Sequence, residues 1–180
     1  MPAKLKTERL ILRPFTTDDS DAAFAILEGH PDVWKFDPGY QRTWEQRAKL
    51  IQKYADWNDP DGCGTLAIIH KQTEQLLGYV GLQLYVLPRE PLATPEVELY
   101  YKLGRAFWGQ GYATEACQAM VYFAFETMRL QRIVTVTPEG NAPSIRLLQR
   151  LGMKIEAAPP EWEGDVIGLL SNPNAQIDSL

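Results

Sequence analysis

A glycine-containing turn between a strand pattern and a helix pattern is the part of the sequence best suited to binding a ligand. Gly109 and Gly111 lie in this turn, within the run from Phe107 to Ala116. About four N–H groups at a helix start lack intrahelical partners, and the helix dipole adds partial positive charge there. Glycine has no Cβ, so it tolerates positive φ angles and lets a ligand approach the backbone. Such a turn can bind a phosphate or pyrophosphate, although a tight turn without a ligand is an equally good interpretation of the glycines alone.

Two different hydrophobic periods flank the turn. Before it, apolar and polar residues alternate as on a strand: Glu96, Val97, Glu98, Leu99, Tyr100, Tyr101, Lys102 and Leu103. After it, apolar residues recur three or four positions apart, as on one helical face: Ala113, Ala116, Cys117, Met120, Val121, Ala124, Phe125 and Met128. The sequence therefore predicts a strand over 96–103 and a helix that reaches Met128.

Two familiar phosphate-binding motifs do not fit this turn. The sequence has no Gly-x4-Gly-Lys-Ser/Thr run, which excludes a P-loop. Thr114 occupies the place of the third glycine in the pattern Gly-x-Gly-x-x-Gly, so a dinucleotide-binding turn is poorly supported.

Composition limits the class of protein. The chain has 180 residues, 45% of them hydrophobic, and a formal net charge of −5. These values predict a single domain, residues 1–171, followed by a polar, flexible C-terminal tail, residues 172–180. The negative charge argues against a general nucleic-acid binder or an anionic-membrane binder. No signal peptide precedes Leu5 and no apolar run reaches about 18 residues, so we expect a cytoplasmic protein.

Cysteine and histidine are too few and too scattered to form a metal site or a Cys–His nucleophile pair. The sequence contains only Cys63, Cys117, His30 and His70, without metal-ligand spacing. Cys117 lies on the apolar face of the predicted helix, so we expect it in the core.

The remaining segments predict a mixed α/β fold. Strand patterns cover 9–15, 65–70, 75–87, 132–137, 154–158 and 165–170, and helix patterns cover 22–27, 43–57 and 143–151. Thr43 and Gln46 predict a capping box, and Asn141 predicts a helix N-cap. Gly78 and Gly81 predict a bulge or close packing within their strand. The strand–helix–strand order predicts that strands 96–103 and 132–137 are parallel.

The run Trp108-Gly109-Gln110-Gly111-Tyr112-Ala113-Thr114-Glu115-Ala116 resembles the acetyl-coenzyme A motif of the GNAT N-acetyltransferase superfamily. The similarity is to the branch of the ribosomal-protein N-terminal acetyltransferases. The superfamily pattern Arg/Gln-x-x-Gly-x-Gly/Ala falls on Trp108, Gly111 and Ala113, where the tryptophan removes one polar contact. The run from Asn141 to Arg146, followed by Leu151-Gly152-Met153, resembles a second signature of the branch, Asn-x-x-Ser-Ile-Arg…Leu-Gly-Phe. With the opening run from Thr7 to Pro14, the resemblance covers nearly the whole chain.

The resemblance implies a fold and a co-substrate. The implied fold is the α/β GNAT fold, a central mixed, mostly antiparallel twisted sheet with a parallel, splayed strand pair and flanking helices. The implied co-substrate is acetyl-coenzyme A, with no metal. Its pyrophosphate would bind the backbone of the turn, and its pantetheine arm would pair with the strand end near Leu103. The expected binding residues are Leu103, Trp108, Gly109, Gln110, Gly111, Tyr112, Ala113, Thr114 and Asn141.

Acetyl transfer to an amine needs a neutral amine, a polarised carbonyl and a proton for the leaving thiolate. The resemblance assigns Glu98 as the general base, with Glu96 second, and Ser144 as the proton donor to sulfur. The alternatives are solvent-side strand carboxylates and a serine that bonds the backbone of its own helix. A backbone N–H near Leu103 would serve as the oxyanion donor. The resemblance also places the aromatic segment around Trp34, Phe36, Tyr40, Trp44 and Trp57 in the acceptor pocket, although these rings could simply pack helices on the sheet.

The sequence therefore predicts an N-acetyltransferase that acts on a primary amine by direct attack in a ternary complex. The acceptor is a protein N-terminus or a small molecule, with no nucleic-acid or membrane partner, and the protein is a monomer or homodimer. One alternative is a catalytically inactive coenzyme A-binding regulatory or scaffold protein. Another is a phosphate-binding domain with a different cofactor.

Overall fold

One mixed sheet forms the centre of the protein. The computed structural model describes residues 4–57, 62–87 and 94–175. The strands are β1 (Leu5–Lys6), β2 (Leu10–Pro14), β3 (Gly64–His70), β4 (Leu76–Leu87), β5 (Thr94–Leu103), β6 (Arg132–Pro138), β7 (Lys154–Ala157) and β8 (Asp165–Ser171). Their order in the sheet is β1-β2-β3-β4-β5-β6-β8-β7, and every neighbouring pair is antiparallel except β5 with β6. The predicted mixed, mostly antiparallel sheet is confirmed.

The α-helices overlap the segments whose hydrophobic patterns predict helices. They are α1 (Ser20–Glu28), α2 (Trp44–Asp56), α3 (Tyr112–Tyr122) and α4 (Ala142–Arg150). The side chains and backbones of Thr43 and Gln46 exchange hydrogen bonds, so the capping box of α2 is confirmed. Asn141 Oδ1 accepts a hydrogen bond from the Ser144 N–H at 3.3 Å, which confirms the N-cap of α4.

The third helix ends differently from the prediction. It is α-helical to Tyr122 and continues as a wider π turn over Phe123–Thr127. Phe123, Ala124 and Phe125 are all buried there. Successive residues of a regular α-helix point about 100° apart, so three in a row could not all face the same core. The wider turn therefore accommodates three consecutive buried residues.

Helices cover both faces of the sheet. On one face, α3 and α4 pack over β5, and their shared core includes Leu99, Leu103, Cys117, Met120 and Leu148. On the other face lie α1 and α2, with a second core that includes Leu27, Trp34, Ile51 and Tyr79. Cys117 is fully buried, as predicted. Residues 64–69 of β3 are all buried because neither face of this strand meets solvent.

The parallel pair β5 and β6 diverges, as predicted. The two strands share one register position, Glu98 with Val134. Past that point Thr135 Oγ1 donates to the Leu99 carbonyl at 2.7 Å, in place of a backbone partner. A gap therefore opens between the C-terminal halves of β5 and β6.

Gly78 and Gly81 allow β4 to lie close to its neighbours. The register of β3 and β4 shifts between Ile68 and Ile69, beside Gly78. A Cβ on Gly78 would lie 2.0 Å from the Lys102 carbonyl oxygen. A Cβ on Gly81 would lie 2.6 Å from the Tyr100 hydroxyl. The predicted bulge and the predicted close packing are both present.

The C-terminal segment is hydrogen-bonded as far as it is described. Asn172 donates through its N–H to the Gln131 carbonyl at 2.8 Å and through Nδ2 to the Leu130 carbonyl at 3.0 Å. Residues 176–180 of the predicted tail lie outside the described residues. None of the helices described here is both long and apolar enough to span a membrane.

Candidate active site

The turn that joins β5 to α3 has a row of free backbone donors. We call residues 108–114 the glycine turn. Gly109 and Gly111 adopt φ angles of +75° and +83°, which disfavour any side chain. No side chain caps α3, and the N–H groups of residues 109–114 find no acceptor within the described part of the chain. A Cβ on Gly109 would have no atom within 4 Å, so the turn is open on that side. These features fit an anionic group at the start of a helix of 11 residues.

A hydrogen-bonded contact fastens the glycine turn to the start of β2. The Glu115 carboxylate accepts hydrogen bonds from Thr7 Oγ1 at 2.5 Å, the Arg9 N–H at 2.8 Å and Arg9 Nε at 2.7 Å. Arg9 Nη1 also donates to the Gln110 carbonyl at 2.9 Å. Burial of Glu115 favours its protonated form, but the hydrogen bonds from Thr7 and Arg9 outweigh burial and lower its pKa. Arg9 and Glu115 are 106 positions apart, so a local sequence pattern does not reveal this pair.

Three side chains of the glycine turn contact other parts of the protein. Trp108 Nε1 donates to the Leu103 carbonyl at 2.9 Å, and the Arg105 guanidinium lies 5.0 Å from the Trp108 ring. Gln110 Nε2 donates to the Ala106 carbonyl at 2.9 Å. The Tyr112 ring lies between the Arg9 guanidinium, at 4.6 Å, and the His70 ring, at 5.6 Å. The donor groups of Trp108 and Gln110 are thus bound within the protein, whereas the backbone N–H groups of residues 109–114 have no acceptor among the described residues.

The backbone of β5 faces the gap at Tyr101. The carbonyls of Leu99 and Leu103 point toward the gap and are already bonded, to Thr135 and Trp108 respectively. Backbone groups of a strand point to the same side at every second residue, so the N–H and carbonyl of Tyr101 also face the gap. The Leu103 carbonyl already accepts a hydrogen bond from the Trp108 indole, and the pairing position near Leu103 stays a prediction.

The first turn of α4 lies across the gap from Tyr101. Asn141 fixes the Ser144 N–H, and the Tyr101 hydroxyl donates to Ser144 Oγ at 3.0 Å. Burial raises the pKa of Tyr101, with a smaller contribution from Cys117, while the contact with Ser144 lowers it. The structure thus brings Ser144 and Asn141, from the second motif, next to Tyr101 of the strand that precedes the first motif.

Glu98 and Glu96 are both buried and not solvent-side strand carboxylates, with exposures of 8% and 6%. Glu98 lies at the point where the strands diverge and accepts a hydrogen bond from Gln83 Nε2 at 2.6 Å. Burial raises its pKa, and hydrogen bonds from Gln83 and the Val136 backbone oppose the shift. Glu96 is bound to the Arg132 guanidinium, with Nε at 2.8 Å from Oε2. Glu96 is thus bound in an ion pair, whereas the hydrogen bonds described for Glu98 come from uncharged groups.

The aromatic segment divides between core and surface. Trp34 is buried, and its Nε1 donates to the Leu27 carbonyl at 2.7 Å. Tyr40 is 60% exposed, and Trp44 Nε1 donates to Asp21 Oδ1 at 2.8 Å. Lys102 of β5 contacts the Asp37 carboxylate and lies 3.9 Å above the Trp34 ring. Burial lowers the pKa of Lys102, although Asp37 opposes that shift. Trp34 thus packs the fold, whereas Tyr40 lies at the surface beside the Arg42 guanidinium, 5.5 Å from its ring.

Comparison with known proteins gives the class to which this fold and site belong. The family described as the acetyltransferase (GNAT) domain matches residues 9–154. This chain belongs to the GNAT acetyltransferase family, and its predicted enzyme class is confirmed. An uncharacterised N-acetyltransferase of Bacillus licheniformis, p20, is 31% identical over 160 residues, which cover 88% of this chain and 86% of p20.

Solved structures share the fold. An acetyltransferase of the GNAT family from Bacillus anthracis matches with a TM-score of 0.78 at 23% identity, over 94% of this chain and 98% of that chain. The ribosomal-protein-S5-alanine acetyltransferase from Vibrio fischeri matches with a TM-score of 0.75 at 16% identity, over 97% of this chain and 100% of that chain. The predicted GNAT fold is confirmed.

Proposed function

We propose that this protein transfers the acetyl group of acetyl-coenzyme A to a protein N-terminal α-amine by direct attack in a ternary complex. The observation that carries the proposal is the row of N–H groups at residues 109–114, which have no acceptor among the described residues and directly follow Trp108, whose indole is hydrogen-bonded to the Leu103 carbonyl at the end of β5. Such a row supports binding of a pyrophosphate, and the gap supports an extended arm. The family supplies the reaction type.

We assign the co-substrate contacts mainly to the backbone. The N–H groups of Gly109, Gln110, Gly111, Tyr112, Ala113 and Thr114 are the proposed pyrophosphate donors. Trp108 and Leu103 shape the entrance through their mutual hydrogen bond. Tyr101 offers backbone groups to the extended arm, and Asn141 sets the start of α4 beside it.

The proposed catalytic residues are Glu98 and Ser144. The amine nitrogen forms a bond to the thioester carbonyl carbon, and the C–S bond breaks with its electron pair left on sulfur. Glu98 takes the amine proton and returns it to solvent, and Ser144 gives its hydroxyl proton to sulfur and regains one from solvent. The raised pKa of Glu98 makes this carboxylate a stronger base than an exposed glutamate.

The acceptor proposal rests on proton affinity. Deprotonating a lysine side chain at pH 7 costs about 4.6 kcal/mol, whereas deprotonating an α-amine costs about 1 kcal/mol. A single buried carboxylate is a strong enough base to deprotonate an α-amine. The S5-alanine acetyltransferase named above, which shares the fold, acts on a ribosomal protein according to its name. Mass spectrometry of peptides that carry both a free N-terminus and an internal lysine tests the choice: we expect acetylation of the N-terminus, and acetylation of lysine alone contradicts it.

Substituting a glycine of the turn tests the binding site. In Gly111→Trp, a bulky side chain enters the turn at a φ of +83° and beside Arg9 Nη2, which lies 3.2 Å from the Cβ position. We expect acetyl-coenzyme A affinity to fall by about 100-fold, because charge-assisted hydrogen bonds are lost. Gly164→Trp is the matched control, since Gly164 has a φ of +91° and open space around its Cβ position. Unchanged affinity of Gly111→Trp in calorimetry would reject the site.

We infer three further properties from the sequence: the extent of the domain, the cellular location and the oligomeric state. We propose that residues 1–171 form the acetyltransferase domain, and that the protein acts in the cytoplasm as a monomer or homodimer.

A further inference from the structure

Two side chains that line the gap form a hydrogen bond across it. The Tyr101 hydroxyl, from β5, donates to Ser144 Oγ, in the first turn of α4, at 3.0 Å. The two residues are 43 positions apart in the sequence. The contact joins the strand and the helix that lie on either side of the proposed thioester position.

The Ser144 hydroxyl has one hydrogen to donate and two lone pairs to accept with. A serine in a helix commonly donates to a backbone carbonyl of the preceding turn. Within residues 4–57, 62–87 and 94–175, Ser144 Oγ donates to no backbone carbonyl, and its N–H is bound by Asn141. The oxygen therefore accepts from Tyr101 while the hydroxyl hydrogen stays free.

Tyr101 is held firmly enough to orient its partner. Its ring packs against the core formed by α3 and β5. Burial raises the pKa of the phenol, so the hydroxyl keeps its proton at neutral pH and donates it in the hydrogen bond to Ser144. The hydrogen bond to Asn141 fixes the backbone of Ser144. The side chain can still rotate about χ1 and about the C–O bond of the hydroxyl, and the contact with Tyr101 restricts both rotations.

We propose that Tyr101 is a positioning residue that orients the Ser144 hydroxyl so that its hydrogen points into the gap, toward the leaving sulfur. This inference rests on the proposed function of Ser144 as proton donor. Tyr101 gives up no proton in the reaction and acts only through Ser144.

A double-mutant cycle tests the inference. We expect Tyr101→Phe to lower kcat about tenfold, the effect of one lost hydrogen bond, with the KM for acetyl-coenzyme A within about twofold. Ser144→Ala should lower kcat at least as much, and the double variant should equal Ser144→Ala alone. Tyr100→Phe is the matched control, because this neighbouring phenol bonds Thr65 Oγ1 at 2.5 Å on the opposite face of β5, and we expect its kcat within about twofold of wild type.

Additive losses in the double variant would overturn the inference, because a purely structural role of Tyr101 would add to the loss of Ser144. Full kcat in Tyr101→Phe would overturn it as well. Calorimetry measures the affinity of the wild-type protein and of the same variants for acetyl-coenzyme A. It therefore separates failure of the inference from failure of the proposed function. If the wild-type protein does not bind acetyl-coenzyme A, or if Ser144→Ala keeps full activity, the result counts against the proposed function on which the inference rests.

Discussion

Replacing Glu115 by glutamine tests whether the contact with Arg9 holds the glycine turn in its binding conformation. Glutamine presents one oxygen where the carboxylate presents two, and its NH2 group would face a donor of Arg9. A charge-assisted hydrogen bond contributes about 1.5–3 kcal/mol when shielded, and an exposed ion pair contributes less than about 1 kcal/mol. The side chains of Arg9 and Glu115 are 40% and 16% exposed. We therefore expect the free energy of unfolding to fall by about 1–2 kcal/mol at pH 7.

The pH dependence of this loss identifies its cause. The pKa of Glu115 is lowered in the folded state, because hydrogen bonds from Thr7 and Arg9 outweigh the effect of burial. A lowered carboxyl pKa stabilises the fold above the unfolded pKa of about 4.3, and this contribution is lost as the pH falls through the folded pKa. The difference between wild type and Glu115→Gln should thus be full at pH 7 and shrink below about pH 4.

Urea unfolding at pH 7 and below about pH 4 measures the loss of stability. Calorimetry measures acetyl-coenzyme A binding, which we expect to weaken about fivefold. Glu126→Gln is the control, since Glu126 lies in the π turn and its contacts with Arg129, at 3.7 Å, and with Asn174, at 3.4 Å, are exposed. It should change stability by no more than about 0.5 kcal/mol. An equal loss at both pH values would refute the ion-pair argument. Unchanged acetyl-coenzyme A affinity would refute the link to the glycine turn.

Three further substitutions test the base and the fold. Glu98→Gln should lower kcat about 100-fold and remove one ionisation from the kcat–pH profile; a profile of unaltered shape excludes Glu98 as the base. Arg47→Ala should cost about 3–5 kcal/mol in urea unfolding, because Glu28 would be left charged and buried, and a double replacement of both residues by Met should recover much of this loss. Gly78→Ala should cost at least about 2 kcal/mol in thermal unfolding, since its Cβ would meet the Lys102 carbonyl; an unchanged Tm contradicts the close packing.

Local features of the sequence predicted much of the architecture. The capping box of Thr43 and Gln46 and the N-cap at Asn141 depend on groups three residues apart, so the sequence contains both partners. The period of two over β5 identified its two faces, and the glycines identified the turn before α3. The π turn after Tyr122 was not predicted, because the spacing of apolar residues is compatible with an ordinary helix until the packing is known.

The alternation of β5 placed Glu96 and Glu98 on the same face but could not tell them apart. The structure separates them because Arg132, 36 residues further along, binds Glu96, while the amide of Gln83 on β4 binds Glu98. No local pattern links those residues, since their proximity depends on the sheet order.

Strand and helix segments, the position of the glycine turn and the family motifs could be read from the sequence, because these features depend on neighbours along the chain. Which distant side chains meet depends on how the chain folds in space. Arg9 with Glu115 and Tyr101 with Ser144 are joined across 106 and 43 positions. Such contacts arise from the pairing of strands and the seating of helices on the sheet, which a period along the sequence does not specify.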